Sequence, residues 1–128
     1  MMLVVTEADF ANLSLLEARS AALRRRLETA TVVASDEVPA EIVTMNTQFI
    51  LRDEKTGQRR VLRIVFPDDA DADAGNISVL EALGTQLLGA SAQRPVDWPF
   101  GDGVHRLRVE RVLYQPEHSL RTHLVFRR

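Results

Sequence analysis

The chain has no cysteine and no long apolar run, and each absence excludes a class of protein. Without cysteine it has no disulfide, no catalytic thiol, no iron–sulfur cluster and no cysteine-based zinc site. Its uncharged apolar runs fall far short of the roughly 20 residues that a helix needs to cross a bilayer. The acidic Glu7 follows the first six residues directly, and no basic segment precedes it, so the N-terminus does not read as a signal peptide. We therefore expect a cytoplasmic protein that does not act in a membrane.

Lysine is nearly absent as well, since Lys55 is the only lysine among 16 basic residues. A preference for arginine in the whole genome explains this as well as a need for the planar guanidinium that binds carboxylates and phosphates. The net charge of −2 conceals a segregation: residues 1–46 carry −3, 47–66 carry +3, 67–103 carry −6 and 104–128 carry +4. Because the balance is not basic overall, we expect no direct, sequence-specific binding of nucleic acid.

Residues 1–36 are predicted to form a short helical, coiled-coil-like segment. Thr6 and Ser14 each begin a capping-box pattern. Two models fit: a single helix over 7–31, or a helix over 7–12, a turn and a second helix from Leu15. An apolar stripe follows helical spacing at Leu13, Leu16, Leu23, Leu27 and Ala30. This stripe must pack on the other helix, on the main domain or on a partner. Residues 31–39 are interpreted as the linker.

Residues 37–128 are predicted to form one α+β domain. The alternation of apolar and polar residues predicts strands over 47–53, 59–66, 96–100 and 104–114, with a bulge near Arg111. A short extended segment is expected over 77–80 and a short helix over 81–88, which Gly89 ends. Residues 119–126 are either one more strand or a tail. The pattern indicates a small antiparallel sheet packed against a short helix.

No motif in the chain predicts catalysis or metal binding. The acidic run from Asp69 resembles the start of a calcium loop, but Gly75 comes one position late and Leu80 stands where a bidentate acid is needed. The three histidines, His105, His118 and His123, lack metal-ligand spacing and are interpreted as surface residues. No phosphate-binding loop and no serine-hydrolase motif is present. The sequence therefore predicts a binding module without cofactor or metal, and not an enzyme.

Five segments occur in an order typical of one family. They are Ile-Val-Thr-Met-Asn-Thr at 42–47, Ile-Val-Phe-Pro-Asp-Asp-Ala-Asp at 64–71, Gly-Asn-Ile-Ser-Val at 75–79, Leu-Gly-Thr-Gln-Leu-Leu-Gly at 83–89 and Leu-Tyr-Gln-Pro-Glu at 113–117. Over residues 37–117 the chain resembles the C-terminal domain of the GreA/GreB transcript-cleavage factors. The first and last segments are closer to the Rnk group, the regulators of nucleoside diphosphate kinase. The resemblance implies an FKBP-like fold behind a coiled-coil-type segment, and binding to bacterial RNA polymerase at its secondary channel.

The chain departs from the cleavage factors in its N-terminal segment. The resemblance attributes to those factors a long coiled coil with acidic residues at its tip, whereas two helices here share only about 40 residues and reach roughly 10–25 Å. We therefore do not transfer the cleavage role to Asp9 or Glu17. The family's Ser-Pro before the short helix is Glu81-Ala82 here, and its Gly-Asp before the next strand is Arg94-Pro95. The resemblance implies a non-catalytic polymerase binder that competes with cleavage factors.

The acidic loop and the short helix are the expected contact surface, on the argument of charge complementarity. The candidate interface residues are Asp68, Asp69, Asp71, Ser78, Leu83 and Leu87. The alternative is a homodimeric interaction adaptor that uses the Leu13–Ala30 stripe and has a partner other than polymerase. We accordingly expect a monomer, or a weak homodimer through the N-terminal helix.

Overall fold

The structure is a computed structural model, and it describes residues 3–101 and 103–119. These residues contain seven strands and three α-helices. In chain order they are β1 (Val4–Thr6), α1 (Glu7–Ser14), α2 (Ala21–Glu28), β2 (Thr31–Val33), β3 (Gln48–Asp53), β4 (Arg59–Val65), β5 (Asn76–Ser78), α3 (Ala82–Leu87), β6 (Val96–Phe100) and β7 (Gly103–Tyr114). Single 3₁₀ turns occur at Glu17–Arg19, Pro67–Asp69 and Ala72–Ala74. A helical turn occupies 116–119.

Five of the strands form one sheet in the order β5-β4-β3-β7-β6. The pairs are antiparallel except β4 with β5, which are parallel. One face of this sheet is buried, with α3 and the N-terminal helices contributing to the same core. The α+β expectation is therefore confirmed. No helix in the described part of the chain is long and apolar enough to span a membrane.

The predicted strands of the large sheet are confirmed to within one or two residues. The bulge expected near Arg111 is present as two shifts of register between β3 and β7. Phe49 pairs with Val112, and Leu51 pairs with Val109, so the shifts lie on either side of Arg111. The predicted strand or tail over 119–126 lies, apart from Ser119, outside the described residues.

The segment before the large sheet is not coiled-coil-like. Strand β1 pairs in parallel with β2, and α1 and α2 lie between them in the chain, so residues 3–33 form a β-α-α-β unit, which we call the N-terminal unit. The linker interpretation of Thr31–Val33 is wrong because these residues are a strand. Strand β1 is not predicted from the sequence, since a three-residue strand of two valines and one threonine carries little local signal.

The two-helix model is the correct one, but its break lies elsewhere. The first helix ends at Ser14, whose hydroxyl donates to the carbonyl of Phe10 at 2.7 Å instead of capping a second helix. The second helix begins after Ser20, whose Oγ accepts from the N–H of Leu23 at 3.1 Å. The cap at Thr6 is confirmed, with Oγ1 accepting from the N–H of Asp9 at 3.1 Å.

Three of the four leucines of the predicted stripe are buried inside the chain. Leu13, Leu23 and Leu27 are at most 4% exposed and belong to the same core cluster as Phe49 and Ile64 of the sheet. Helices of eight residues are marginal on their own, so this tertiary burial supplies most of their stability. Most of the stripe is therefore used inside the chain, with Leu16 half-buried at its edge, and nothing in the described residues supports the expected dimer contact.

Arg26 joins the N-terminal unit to α3. Its guanidinium Nη1 donates to the carbonyls of Thr85 at 2.5 Å and Leu88 at 2.6 Å. These carbonyls lie at the end of α3, where a helix leaves its last acceptors without partners. Burial lowers the pKa of Arg26, and the two carbonyls offset the desolvation of the charged group.

Replacement of Arg26 tests this contact. We expect Arg26→Met to lower the free energy of unfolding by about 1.5–3 kcal/mol, because hydrogen bonds to a charged group are lost while the carbonyls stay buried. Arg25→Met, at an exposed position of the same helix, is the control and should change it by less than about 0.5 kcal/mol. Urea unfolding measures both. Equal effects would show that α3 does not depend on Arg26.

Candidate functional site

The loop between β4 and β5 carries the densest negative charge of the described chain. The backbones of Asp71 and Asn76 exchange two hydrogen bonds of 2.9 Å, which close the loop. Gly75 has φ +80°, and a Cβ there would lie 2.6 Å from the carbonyl oxygen of Val61, so only glycine fits. We call residues 67–75 the acidic loop. Its exposed carboxylates are those of Asp68, Asp69, Asp71 and Asp73.

Helix α3 approaches β5 more closely than a side chain would allow. A Cβ on Gly84 would lie 2.2 Å from the carbonyl oxygen of Ser78. Thr85 Oγ1 donates to the carbonyl of Val79 at 2.5 Å. Glu81 Oε2 accepts from the N–H of Ser78 at 3.2 Å, so the residue that departs from the family pattern contacts the turn before the helix. These contacts fix α3 beside the acidic loop.

A groove of about 340 Å³ runs between α3, β6 and the acidic loop, and we call it the α3 groove. Leu83 and Trp98 provide apolar walls, Arg60 and Glu81 provide charge, and Ala72 brings the acidic loop to its rim. A smaller groove of about 110 Å³ shares Leu83 and Arg60 and extends to Asp53 and Leu107. The helix, the acidic loop and the sheet thus meet in one concave region.

A second groove of about 340 Å³ lies on the N-terminal side of the acidic loop, and we call it the tip groove. It lies between the turn after α1, with Leu15 and Leu16, and the segment of Phe66, Pro67 and Asp68. Leu15 is 80% exposed, an unusual position for a large apolar side chain. The acidic loop therefore has an apolar groove on each side.

The structure divides the six candidate interface residues into two groups. The aspartates Asp68, Asp69 and Asp71 are exposed on the acidic loop, and Leu83 is half-buried in the α3 groove. Ser78 is 8% exposed and Leu87 is fully buried, so these two residues are not available to a partner. The reason is geometric: β5 lies directly beneath α3, and the core-facing side of this six-residue helix includes Leu87.

The two sequence segments closest to the Rnk group contact each other. Gln115 is buried, and its Nε2 donates to the carbonyls of Pro39 at 2.7 Å and Ile42 at 2.9 Å. Glu117 Oε1 accepts from Thr44 Oγ1 at 2.7 Å, and Thr44 Oγ1 lies 2.7 Å from Thr47 Oγ1. Sequence order alone did not indicate this contact.

Asp9 of α1 points toward this junction and not toward solvent. Its pKa is raised to about 6, mainly because the carboxyl group is buried and to a smaller extent because the carboxylate of Glu117 is nearby. The hydrogen bonds from the backbone of Met45 and from Thr6 act in the opposite direction. Its Oδ2 atom is buried without a hydrogen-bond partner. Ionised Asp9 is therefore unfavourable in the folded chain.

The interpretation of His105 as a surface residue is wrong. His105 is 5% exposed on the core side of β7, and its Nδ1 lies 2.5 Å from Oδ2 of Asp53. The hydrogen bond with His105 is the main cause that lowers the pKa of Asp53. Within residues 3–101 and 103–119, no group of three or more histidine or acidic side chains is placed to hold a metal ion.

Residues 38–114 match the family model described as "Transcription elongation factor, GreA/GreB, C-term". The chain belongs to the GreA/GreB C-terminal family. The "Regulator of nucleoside diphosphate kinase" of Escherichia coli strain K12 is 32% identical over 97 residues, which are 75% of this chain and 71% of that protein. The resemblance to the GreA/GreB and Rnk proteins is therefore confirmed.

Two further members show how far the similarity extends. "Transcription elongation factor GreA" of Chloroherpeton thalassium is 30% identical over 93 residues, which are 73% of this chain and 59% of that protein. The solved "Prokaryotic transcription elongation factor GreA/GreB from Nitrosomonas europaea" superposes with a TM-score of 0.77 at 30% identity, covering 89% of this chain and 99% of that one. Residues 38–128 alone make up a smaller share of the chain than the 89% that superposes. The superposed part therefore includes some of the N-terminal unit.

The raised pKa of Asp9 predicts a pH-dependent stability. An acid whose pKa is higher in the folded chain than in the unfolded chain holds its proton more tightly when folded. The stability that this proton contributes is fully present below the unfolded pKa and is lost as the pH rises through the folded pKa. Wild type should therefore lose stability between about pH 4 and pH 6. Asp9→Asn should remove this slope and raise the free energy of unfolding at neutral pH by roughly 1–3 kcal/mol.

Glu7→Gln, which neutralises an exposed acid on the same helix, is the matched control and should leave the slope in place. Urea unfolding across the pH series measures all three proteins. A wild-type slope that persists in Asp9→Asn would show that Asp9 is not the group responsible.

Proposed function

We propose that this chain is a non-catalytic transcription regulator that binds bacterial RNA polymerase near the secondary channel and competes there with cleavage factors. It would act in the cytoplasm, where polymerase is found. One observation carries this function: a GreA/GreB C-terminal fold is joined to an N-terminal unit whose two helices have only eight residues each. The names of the matched relatives, a regulator and elongation factors, support it.

The N-terminal unit is too short to deliver carboxylates to a distant metal centre. A helix of eight residues spans about 12 Å, at 1.5 Å per residue. Of the two acids considered for a cleavage role, Asp9 faces inward and Glu17 is half-buried in the turn between the helices. The unit would therefore occupy the mouth of a channel without entering it deeply.

The acidic loop and its two flanking grooves are the proposed docking surface. Four exposed carboxylates in the loop would steer the encounter with a basic partner surface, and such steering weakens as salt increases. The grooves would then accept apolar side chains of the partner, with Leu15 adding an exposed apolar contact. In this proposal the FKBP-like body of sheet and α3 serves docking and has no prolyl isomerase role.

Charge reversal on the acidic loop tests the docking surface. With immobilised core RNA polymerase, we expect the double variant Asp68→Lys/Asp69→Lys to weaken binding by about tenfold at low salt, with a smaller effect at high salt. The matched control is Asp36→Lys/Glu41→Lys, which makes the same charge change at exposed positions away from the loop. Equal weakening in both variants would remove the loop from the interface.

Competition is tested in the same assay with a Gre factor present. The proposed overlap of sites predicts that saturating Gre factor displaces this protein from polymerase. Simultaneous, saturable binding of both proteins would contradict the overlap. Failure of polymerase to retain the wild-type chain at all would contradict the proposed function.

A further inference from the structure

The solvent face of the large sheet carries a regular array of arginines. In register across β4, β3 and β7, Arg59, Arg52 and Arg108 lie side by side. Side chains alternate along β3 and β4, and the two bulges of β7 shift its register to match. The next rows on the same face are therefore Val61, Ile50 and Arg111, and then Arg63, Gln48 and Tyr114. We call these nine residues the arginine face. The two basic segments of the sequence thus meet on one surface.

A row of three like charges on neighbouring strands is unfavourable in isolation. Strands are about 4.8 Å apart, and like charges directly opposite one another destabilise a sheet. Acidic side chains relieve part of this: Arg59 pairs with Glu110 at 2.8 Å, and Arg108 pairs with Glu54. Within the described residues, Arg52 and Arg111 have no such partner, and Arg52 is the centre of the row. This arrangement favours an anionic ligand.

The arginine face also offers stacking surfaces. Tyr114 is 42% exposed, and the guanidinium of Arg63 lies 5.7 Å from the centre of its ring. Val61 is 49% exposed in the neighbouring row. Cationic groups that bind phosphates, placed beside an aromatic ring on which a base can stack, are the combination that proteins use for single-stranded nucleic acid. An acidic protein surface could bind to the arginines but would not need the aromatic ring of Tyr114.

The shape of the surface fits an extended ligand. None of the grooves described above is lined by a residue of the arginine face. Residues 120–128 contain three arginines and no acid, so they do not complement its charge. An open sheet face with exposed arginines can contact the phosphates of a polymer along its length, with two hydrogen bonds from each guanidinium.

We infer that the arginine face binds single-stranded RNA through its phosphates, with a base stacked on Tyr114, and without sequence preference. The lack of preference follows because the unpaired donors of the face are guanidinium groups, which suit phosphates, and stacking accepts any base. This agrees with the expectation that the chain makes no direct, sequence-specific contact with nucleic acid. The site is separate from the acidic loop, so RNA binding does not depend on polymerase binding.

The test is the anisotropy of a labelled single-stranded RNA of about 12 nucleotides, titrated with the full chain in the absence of polymerase. We expect saturable binding at about 50 mM salt that weakens steeply by 200 mM. Arg52→Gln/Arg111→Gln should weaken binding by about tenfold or more and reduce the slope of log K against log salt by about 1.4, for two lost phosphate contacts at 0.7 each. Tyr114→Leu should weaken binding by about fivefold or more, with little change in that slope.

The control variant Arg24→Gln/Arg25→Gln removes two exposed arginines from α2 and should bind RNA like wild type. Urea unfolding confirms that each variant is folded. Loss of binding in the control equal to that in Arg52→Gln/Arg111→Gln, or no binding by wild type at about 50 mM salt, would overturn the inference. Equal displacement of RNA by polyglutamate of matched charge would also overturn it, in favour of an acidic protein partner.

Discussion

The rest of the structure depends on one constraint: two helices of eight residues cannot hold their shape unless the large sheet buries them. Leu13, Leu23 and Leu27 enter the same core as the inner face of the sheet. The parallel pairing of β1 with β2 brings the two ends of the unit together. The helices are therefore part of the body of the molecule and not an extension from it.

This constraint shapes the candidate site. Because the N-terminal unit lies against the body, its turn with the exposed Leu15 ends beside the acidic loop and forms the tip groove with it. On the other side of the unit, Arg26 holds the end of α3, which borders the α3 groove. The acidic loop thus lies between two elements that the N-terminal unit positions. The acidic and basic segments also separate in space, with carboxylates around the loop and arginines on the open sheet face.

The large sheet could be predicted from the sequence because its information is local. Alternation of buried and exposed residues defines β4 and β7, and Gly89 with φ +83° ends α3 as its sequence position indicated. Strands β1 and β2 could not be predicted, because each has three residues and their pairing joins segments about 27 positions apart. A parallel pair with so few residues leaves no periodic pattern.

The site was predictable only in part for a related reason. Four aspartates in nine residues predict an exposed loop, and the structure agrees. The exposure of a side chain near α3 depends on the distance between this helix and β5. Gly84 permits a close approach, and no local sequence pattern shows how close it is. Leu87 is buried for that reason. The alternation along β7 places His105 on the same side as Leu107 and Val109, but its partner Asp53 lies 52 residues away in the sequence, and no local pattern shows that contact.

We propose that this molecule occupies a polymerase site without supplying catalytic carboxylates. Transcript cleavage in stalled elongation complexes tests it most directly. Added alone, the protein should leave the transcript intact. Added with a Gre factor, it should suppress the factor's cleavage in a dose-dependent way. Cleavage stimulated by the protein itself, or Gre-dependent cleavage that is unchanged at saturating concentration, would contradict the account.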